Sequence, residues 1–251
     1  MDEPAIPAAT LVVWRDPPAT SAEAPSILVV ERSARMAFAA GAIVFPGGRV
    51  DEADRQLAAE IGAPGDAAKI TAIRETIEES GVIAGMTGST EPSLGLILQQ
   101  SLIAGAPFGD LLATHKLTID LAALTPFARW IPAFKQPRKF DTIFFIIRAP
   151  EGDWPPHPQP GECVAAEWVS PAALLDRIAA GTASAIFPTK RNVERLAQHA
   201  SFAAALADAR AHSIDTIVPW VAELDGERRI CIPEGRGYPV TSEPLSSAIR
   251  A

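Results

Sequence analysis

Three glutamates crowd a short stretch of this chain, Arg74-Glu75-Thr76-Ile77-Glu78-Glu79-Ser80-Gly81. Asp66 stands where a helix N-cap would and Gly81 supplies a stop, so the spacing predicts a helix reaching Ser80. On it Glu75, Glu78 and Glu79 fall at i, i+3 and i+4 and share one face. Their repulsion is about 3 kcal/mol per pair at about 5 Å and an effective dielectric of about 20. A hard divalent cation such as Mg²⁺ or Mn²⁺ offsets that cost, because it takes carboxylate oxygens and keeps water for a phosphate-bearing ligand. A bare E-x-x-E-E is commonly a solvated face. The fuller R-E-x-x-E-E-x-G fixes five positions, and chance would produce it in a chain of this length about twice in ten thousand.

The remainder of the chain predicts strands mixed with helices. Short β-rich runs occur at Thr10–Trp14, Ile27–Glu31 and Ala42–Phe45, the last ended by the turn signal Pro46-Gly47-Gly48. Asp51–Gly65 reads as a loop, and Pro92–His115 as helix interrupted by glycines. Further strands are expected near Leu124–Ile131, Thr142–Arg148 and Cys163–Val169. Pro150–Gly161 holds five prolines and is predicted to be an extended loop. Ala-rich helices are expected over Pro171–Ala180 and Thr189–Ala211, the second broken near Ser201. Ile214–Leu224 and Arg229–Ile232 read as strands around Asp225-Gly226. The fold class is therefore α/β (α+β). One domain spans residues 10–240, between a flexible tail at 1–9 and a C-terminal tail at 241–251.

Composition excludes several classes. A formal charge of −8 on 251 residues disfavours a broad grip on nucleic acid or an anionic membrane. Two cysteines, Cys163 and Cys231, preclude a disulfide framework or a cysteine-rich zinc site. Met1–Thr10 lacks the apolar core of a signal peptide, and no uncharged run reads as a membrane span. A cytoplasmic protein is the expectation.

Upstream of the helix, Phe45-Pro46-Gly47-Gly48 precedes Asp54 by G-x5-D. Together these pieces resemble the Nudix box, G-x5-E-x7-R-E-U-x-E-E-x-G-U with U aliphatic. Asp54 replaces the first glutamate, and Thr76 an aliphatic residue. Nineteen residues, Arg55–Ile73, stand where seven are usual, an insertion falling mainly over 55–65. Further segments are similar to a coenzyme A diphosphatase branch of that family, which shares the aspartate and the long insertion. They are Arg32-Ser33, Phe38, Gly41-Ala42, Leu124-Thr125-Pro126-Phe127, Phe140-Asp141-Thr142, Glu162, Trp168 and Arg195-Leu196-Ala197.

The resemblance implies a Nudix-type α/β/α sandwich with a mixed sheet, extra C-terminal helices and a helical insertion at about 92–115. It implies Mg²⁺ or Mn²⁺ held by Glu75, Glu78, Glu79 and the Gly47 carbonyl, with Arg74 orienting the glutamates. Gly48 would permit a tight turn, and Gly81 closes the box. Water would attack one phosphorus of a diphosphate, with Glu79 or Glu162 as base. Arg32, Arg35, Arg138 and Lys139 are candidates for phosphate oxygens, against the commoner fate of solvated strand ends. Trp130, Phe134 and Trp154 could stack a base but more often pack in a core or loop. His157 is expected to be exposed.

The leading expectation is a diphosphatase for coenzyme A or acyl-coenzyme A. The alternatives are ADP-ribose, NADH or a nucleotide sugar as substrate, or a Nudix-fold ligand sensor without catalysis. A homodimer is left open.

Overall fold

A computed structural model describes residues 4–36, 39–88, 90–132 and 139–248. The elements in chain order are β1 (Ile6–Arg15), β2 (Ser26–Arg32), β3 (Ile43–Val44), β4 (Gly47–Arg49), α1 (Glu52–Glu60), α2 (Ala67–Ser80) and β5 (Met86–Thr87). Then come α3 (Pro92–Ile103), α4 (Phe108–His115), β6 (Thr118–Ile119), β7 (Thr125–Trp130), β8 (Phe140–Arg148) and β9 (Cys163–Val169). The last are α5 (Pro171–Ala179), α6 (Phe187–Leu196), α7 (Phe202–Ala211), β10 (Trp220–Leu224), β11 (Glu227–Cys231), β12 (Ser242–Pro244) and α8 (Leu245–Ala248).

The central strand β1 is apolar on both faces, as a strand covered on both sides must be. Its period of two divides the core. Leu11 and Val13 join Ile70, Ile73 and Ile77 of α2 in one cluster. Val12 and Trp14 join Val193, Leu196 and Ala205 of α6 and α7 in the other. Helices thus cover both faces, which makes the fold an α/β/α sandwich. The sheet is mixed: β1 runs antiparallel to β2 and parallel to β8, in the order β3-β2-β1-β8-β7. β4 pairs with β1, and β9 with β2.

Several expectations are corrected. The segment read as a loop from Asp51 to Gly65 contains α1, because Asp51 caps it and Asp54 at the third helical position accepts the Asp51 N–H at 3.0 Å. Gly47-Gly48 forms strand rather than turn, with Gly47 opposite Thr10 and Gly48 opposite Ala9. Residues 6–9 belong to the sheet and not to a tail, since β1 pairs with β8 from Ile6 onward. At the other end Ser242–Pro244 pairs with β11 in a second, three-stranded sheet. The strand read from Ile214 begins only at Trp220, with Ile217 making an isolated bridge to Trp130.

Candidate active site

The glutamate helix α2 lies on the sheet with β4 at its carboxylate face. Its C-terminus is set by Gly81, left-handed at φ 70°. From there the site is built by close approach of backbone and carboxylate. A Cβ on Gly48 would stand 2.3 Å from Glu75 Oε1, so a side chain there would displace the Glu75 carboxylate. A Cβ on Gly47 would stand 2.5 Å from the Ala9 carbonyl, and the Gly47 N–H donates to Glu79 Oε2 at 3.0 Å.

Arg74 is the hub of the charge network. Its Nε and Nη2 both donate to Asp54 at 2.9 Å, while Nη1 lies 2.9 Å from Glu75 and 3.0 Å from Glu78. This bidentate fork suits a guanidinium and no other cation. Burial pulls the Arg74 pKa down, but Asp54, Glu75 and Glu78 outweigh it and hold the cation firmly charged. Asp54 is buried and also accepts from the Thr71 hydroxyl at 2.8 Å. Asp54 therefore joins α1 to α2, and residues 55–66 complete α1 and turn the chain back so that Arg74 meets Asp54.

The glutamates themselves are electrostatically frustrated. Burial pushes the Glu75 carboxyl up to about 7; Arg74 opposes this and Glu78 adds to it. Burial and the Glu75 charge push Glu79 up to about 8, against the Gly47 N–H and Arg32. Arg32 Nη1 stands 3.7 Å from Glu79 Oε1, and its buried Nε has no partner among the described residues. Among the described residues no three His, Cys, Asp or Glu side chains form a ready-made metal cluster. Glu75 and Glu78 share Arg74 Nη1, while Glu79 lies against Arg32 and the Gly47 N–H. The donors nevertheless fit a hard cation: they are oxygens only, drawn from one helix face, and burial makes two of them resist ionisation.

The other predicted residues divide. Glu162 is exposed at the entry to β9, and its charge contributes to the rise at Glu79. Arg35 is exposed on the turn after β2. Lys139 is half-buried, and its carbonyl accepts the Ile6 N–H at the end of the sheet where β4 pairs with β1. Phe38, Phe134 and Arg138 lie outside the described residues. Trp130 and Trp154 are buried, their indole N–H groups donating to the Tyr238 hydroxyl and the Glu151 carbonyl, which removes them as stacking platforms. His157 is half-buried, because its backbone is tied to α2.

Sequence reasoning missed Thr71 and Gln99. Thr71 sits on the buried side of a helix read for its carboxylates. Gln99 lies in an uncharged run where no pattern marks one polar residue above another.

Comparison with known proteins places this geometry. No family model matches the chain. A NUDIX hydrolase from Alicyclobacillus acidocaldarius superposes with a TM-score of 0.67 at 28% identity, covering 82% of this chain and 97% of that one. The sheet, the glutamate helix and this likeness give the chain a Nudix-type fold. Among curated proteins, human acyl-coenzyme A diphosphatase NUDT19 is 28% identical over 74% of this chain and 64% of its own length. A Caenorhabditis elegans protein named putative nudix hydrolase 7 is 26% identical over 68% of this chain and 56% of its own. The chain thus resembles NUDT19 while spanning less than two thirds of the length of either curated relative. Among the described residues no helix is long and apolar enough to cross a membrane.

Proposed function

We propose that the chain hydrolyses the diphosphate bridge of a nucleoside-diphosphate-linked substrate, with coenzyme A or acyl-coenzyme A first in line. The observation that carries the reading is the pair of carboxylates raised by burial, half-buried Glu75 and buried Glu79, pressed against a glycine edge. A bound cation would offset the desolvation that raises them.

Glu75, Glu78, Glu79 and the Gly47 carbonyl would hold Mg²⁺ or Mn²⁺. When bound, that ion supplies charge neutralisation at the phosphates and acidifies a water. Arg74 fixes the carboxylate rotamers through its fork, and Asp54 fixes Arg74. Arg32 partly neutralises Glu79 from the β2 side. Glu162, exposed at the entry to β9, takes the proton of the attacking water, leaving Glu79 as an acceptor of the Gly47 N–H. Lys139 and Arg35 are assigned to phosphate oxygens. The coenzyme A preference rests on the likeness to NUDT19 and is the finer part of the proposal.

The test is product analysis by mass spectrometry with Mg²⁺ and, separately, Mn²⁺, over coenzyme A, acyl-coenzyme A, ADP-ribose, NADH and a nucleotide sugar. Conversion of coenzyme A to 3′,5′-ADP and phosphopantetheine, lost with EDTA, is the expected result. Preference for ADP-ribose or NADH would keep the chemistry and reject the substrate. No product from any of them would reject the enzyme reading for this set and favour a sensor.

A further inference from the structure

The C-terminal end of α2 is finished by two segments that lie outside the glutamate motif. The last four carbonyls of a helix have no partner within it. Here all four are satisfied. Ile77 accepts the Gly81 N–H at 2.8 Å, and Glu78 accepts Gln99 Nε2 at 3.0 Å. Glu79 accepts the Gln159 N–H at 3.3 Å, and Ser80 accepts the His157 N–H at 2.8 Å. The proline-rich segment before β9 is therefore a strap across the end of the glutamate helix.

Gln99 holds the strap down from the other side. It is buried on α3, and the same Nε2 that reaches Glu78 also donates to the His157 carbonyl at 2.8 Å. One amide nitrogen thus joins three elements. α3 comes close enough because position 95 is glycine: a Cβ there would stand 2.0 Å from the Gly81 carbonyl. Past Gln159 the chain turns at once, the Cys163 N–H donating to the Gln159 carbonyl at 3.0 Å. Glu162 sits inside that turn, its carbonyl accepting the Ser33 N–H at 2.7 Å beside Arg32. The strap, together with the β2–β9 pairing that sets Cys163 opposite Arg32, fixes where the Glu162 backbone stands.

We propose that Gln99 is a positioning residue for the hydrolytic site, acting through the strap to hold Glu162 beside the glutamate helix. The proposal rests on the hydrolase reading and on Glu162 as the proton acceptor there. Gln99 touches no substrate. Its loss should change turnover, not substrate affinity, and only while Glu162 is present to be misplaced.

The test is a double-mutant cycle with Gln99→Met, which keeps length and apolar volume but loses both bonds, and Glu162→Gln. Gln99→Met should lower kcat about tenfold with KM within about twofold, as a small displacement of a reacting group does. In the Glu162→Gln background it should add less than about twofold. Equal proportional losses in both backgrounds would overturn the proposal and leave Gln99 as ordinary packing. So would wild-type kcat in Glu162→Gln.

Hydrogen exchange supplies a readout that needs no activity. Gln99→Met should speed exchange of the His157 and Gln159 amides about tenfold while the β1 and β8 amides stay as they were. Unchanged strap exchange would overturn the tether. Should Gln99→Met fail to fold, His157→Pro removes one strap N–H within a run already rich in proline, and is expected to shift kcat and exchange the same way. A wild-type protein silent on every substrate would refute the hydrolase reading, and exchange alone would then decide whether Gln99 holds the strap.

Discussion

Glu79 has two demands placed on it that pull in opposite directions. As a buried side chain it is more stable neutral, and its carboxyl is raised to about 8 by burial and by Glu75. In the cation-ligand role proposed for it, it must be ionised. Glu79→Gln keeps an oxygen for the Gly47 N–H and removes the buried charge. The metal-free variant should be more stable than wild type at pH 8 by about 1–3 kcal/mol, while hydrolysis falls at least about a hundredfold. Urea melts in EDTA and a turnover assay check the two halves, and a destabilised variant would show that the carboxylate is not strained. Gly48→Ala probes the same carboxylates from the backbone side. Its Cβ would overlap Glu75 Oε1, so the glutamate must swing away. The expected result is about 1–3 kcal/mol of lost stability together with a marked loss of activity, in keeping with overpacking at a buried contact. Normal turnover in that variant would mean that Glu75 is not needed where it stands.

At the scale of elements, α1 and α2 depend on one side chain. Asp54 accepts the Asp51 N–H at the start of α1, accepts from Thr71 and anchors Arg74 through Nε and Nη2. Asp54→Ala leaves a buried guanidinium with half its partners gone and should cost about 3–5 kcal/mol. Asp54→Asn keeps the shape and one acceptor and should cost less. A thermal melt of both separates charge from packing, and equal Tm values would deny Asp54 its role as anchor. This element also shows how far the sequence could be read. The carboxylate pattern from Arg74 to Gly81 is local, so spacing alone located the helix, its stop and its polar face. The start of α1 is marked in Asp51-Glu52-Ala53-Asp54, although Asp51–Gly65 reads as a loop in the sequence. The strand character of Gly47-Gly48 was not legible, because it comes from pairing with residues of β1 far away in sequence. Neither was Gln99, whose partners are carbonyls of two other segments. The sheet strands were read well in their centres, where apolar runs dominate, and poorly at Ile6 and Trp220, where neighbours decide.

For the whole molecule, the raised carboxylates make stability a function of pH in a direction opposite to the usual one. A carboxyl whose folded pKa lies above its unfolded value stabilises the fold while protonated. That contribution is complete below the ordinary glutamate value and is lost as pH rises through the folded values, about 7 for Glu75 and about 8 for Glu79. Glu194, raised by burial, acts in the same sense. Asp16 and Asp215 are lowered, so their contributions are lost only in more acid solution. Cys163 and Tyr238, both pushed up to about 12 by burial, do not ionise in this range. The protein in EDTA should therefore lose Tm between about pH 6 and pH 8.5, by several degrees if each carboxylate contributes about 1–2 kcal/mol. Mg²⁺ should restore that loss, and its stabilising effect should be larger at pH 8 than at pH 6, since binding must displace protons from Glu75 and Glu79. The measurement is a grid of melts across pH with EDTA or Mg²⁺, repeated with Glu79→Gln, in which the slope in EDTA should flatten. A metal-free protein whose Tm climbs from pH 6 to pH 8 would show that the two carboxylates are already compensated by Arg74 and Arg32, and the case for a cation at this helix would lose its physical ground.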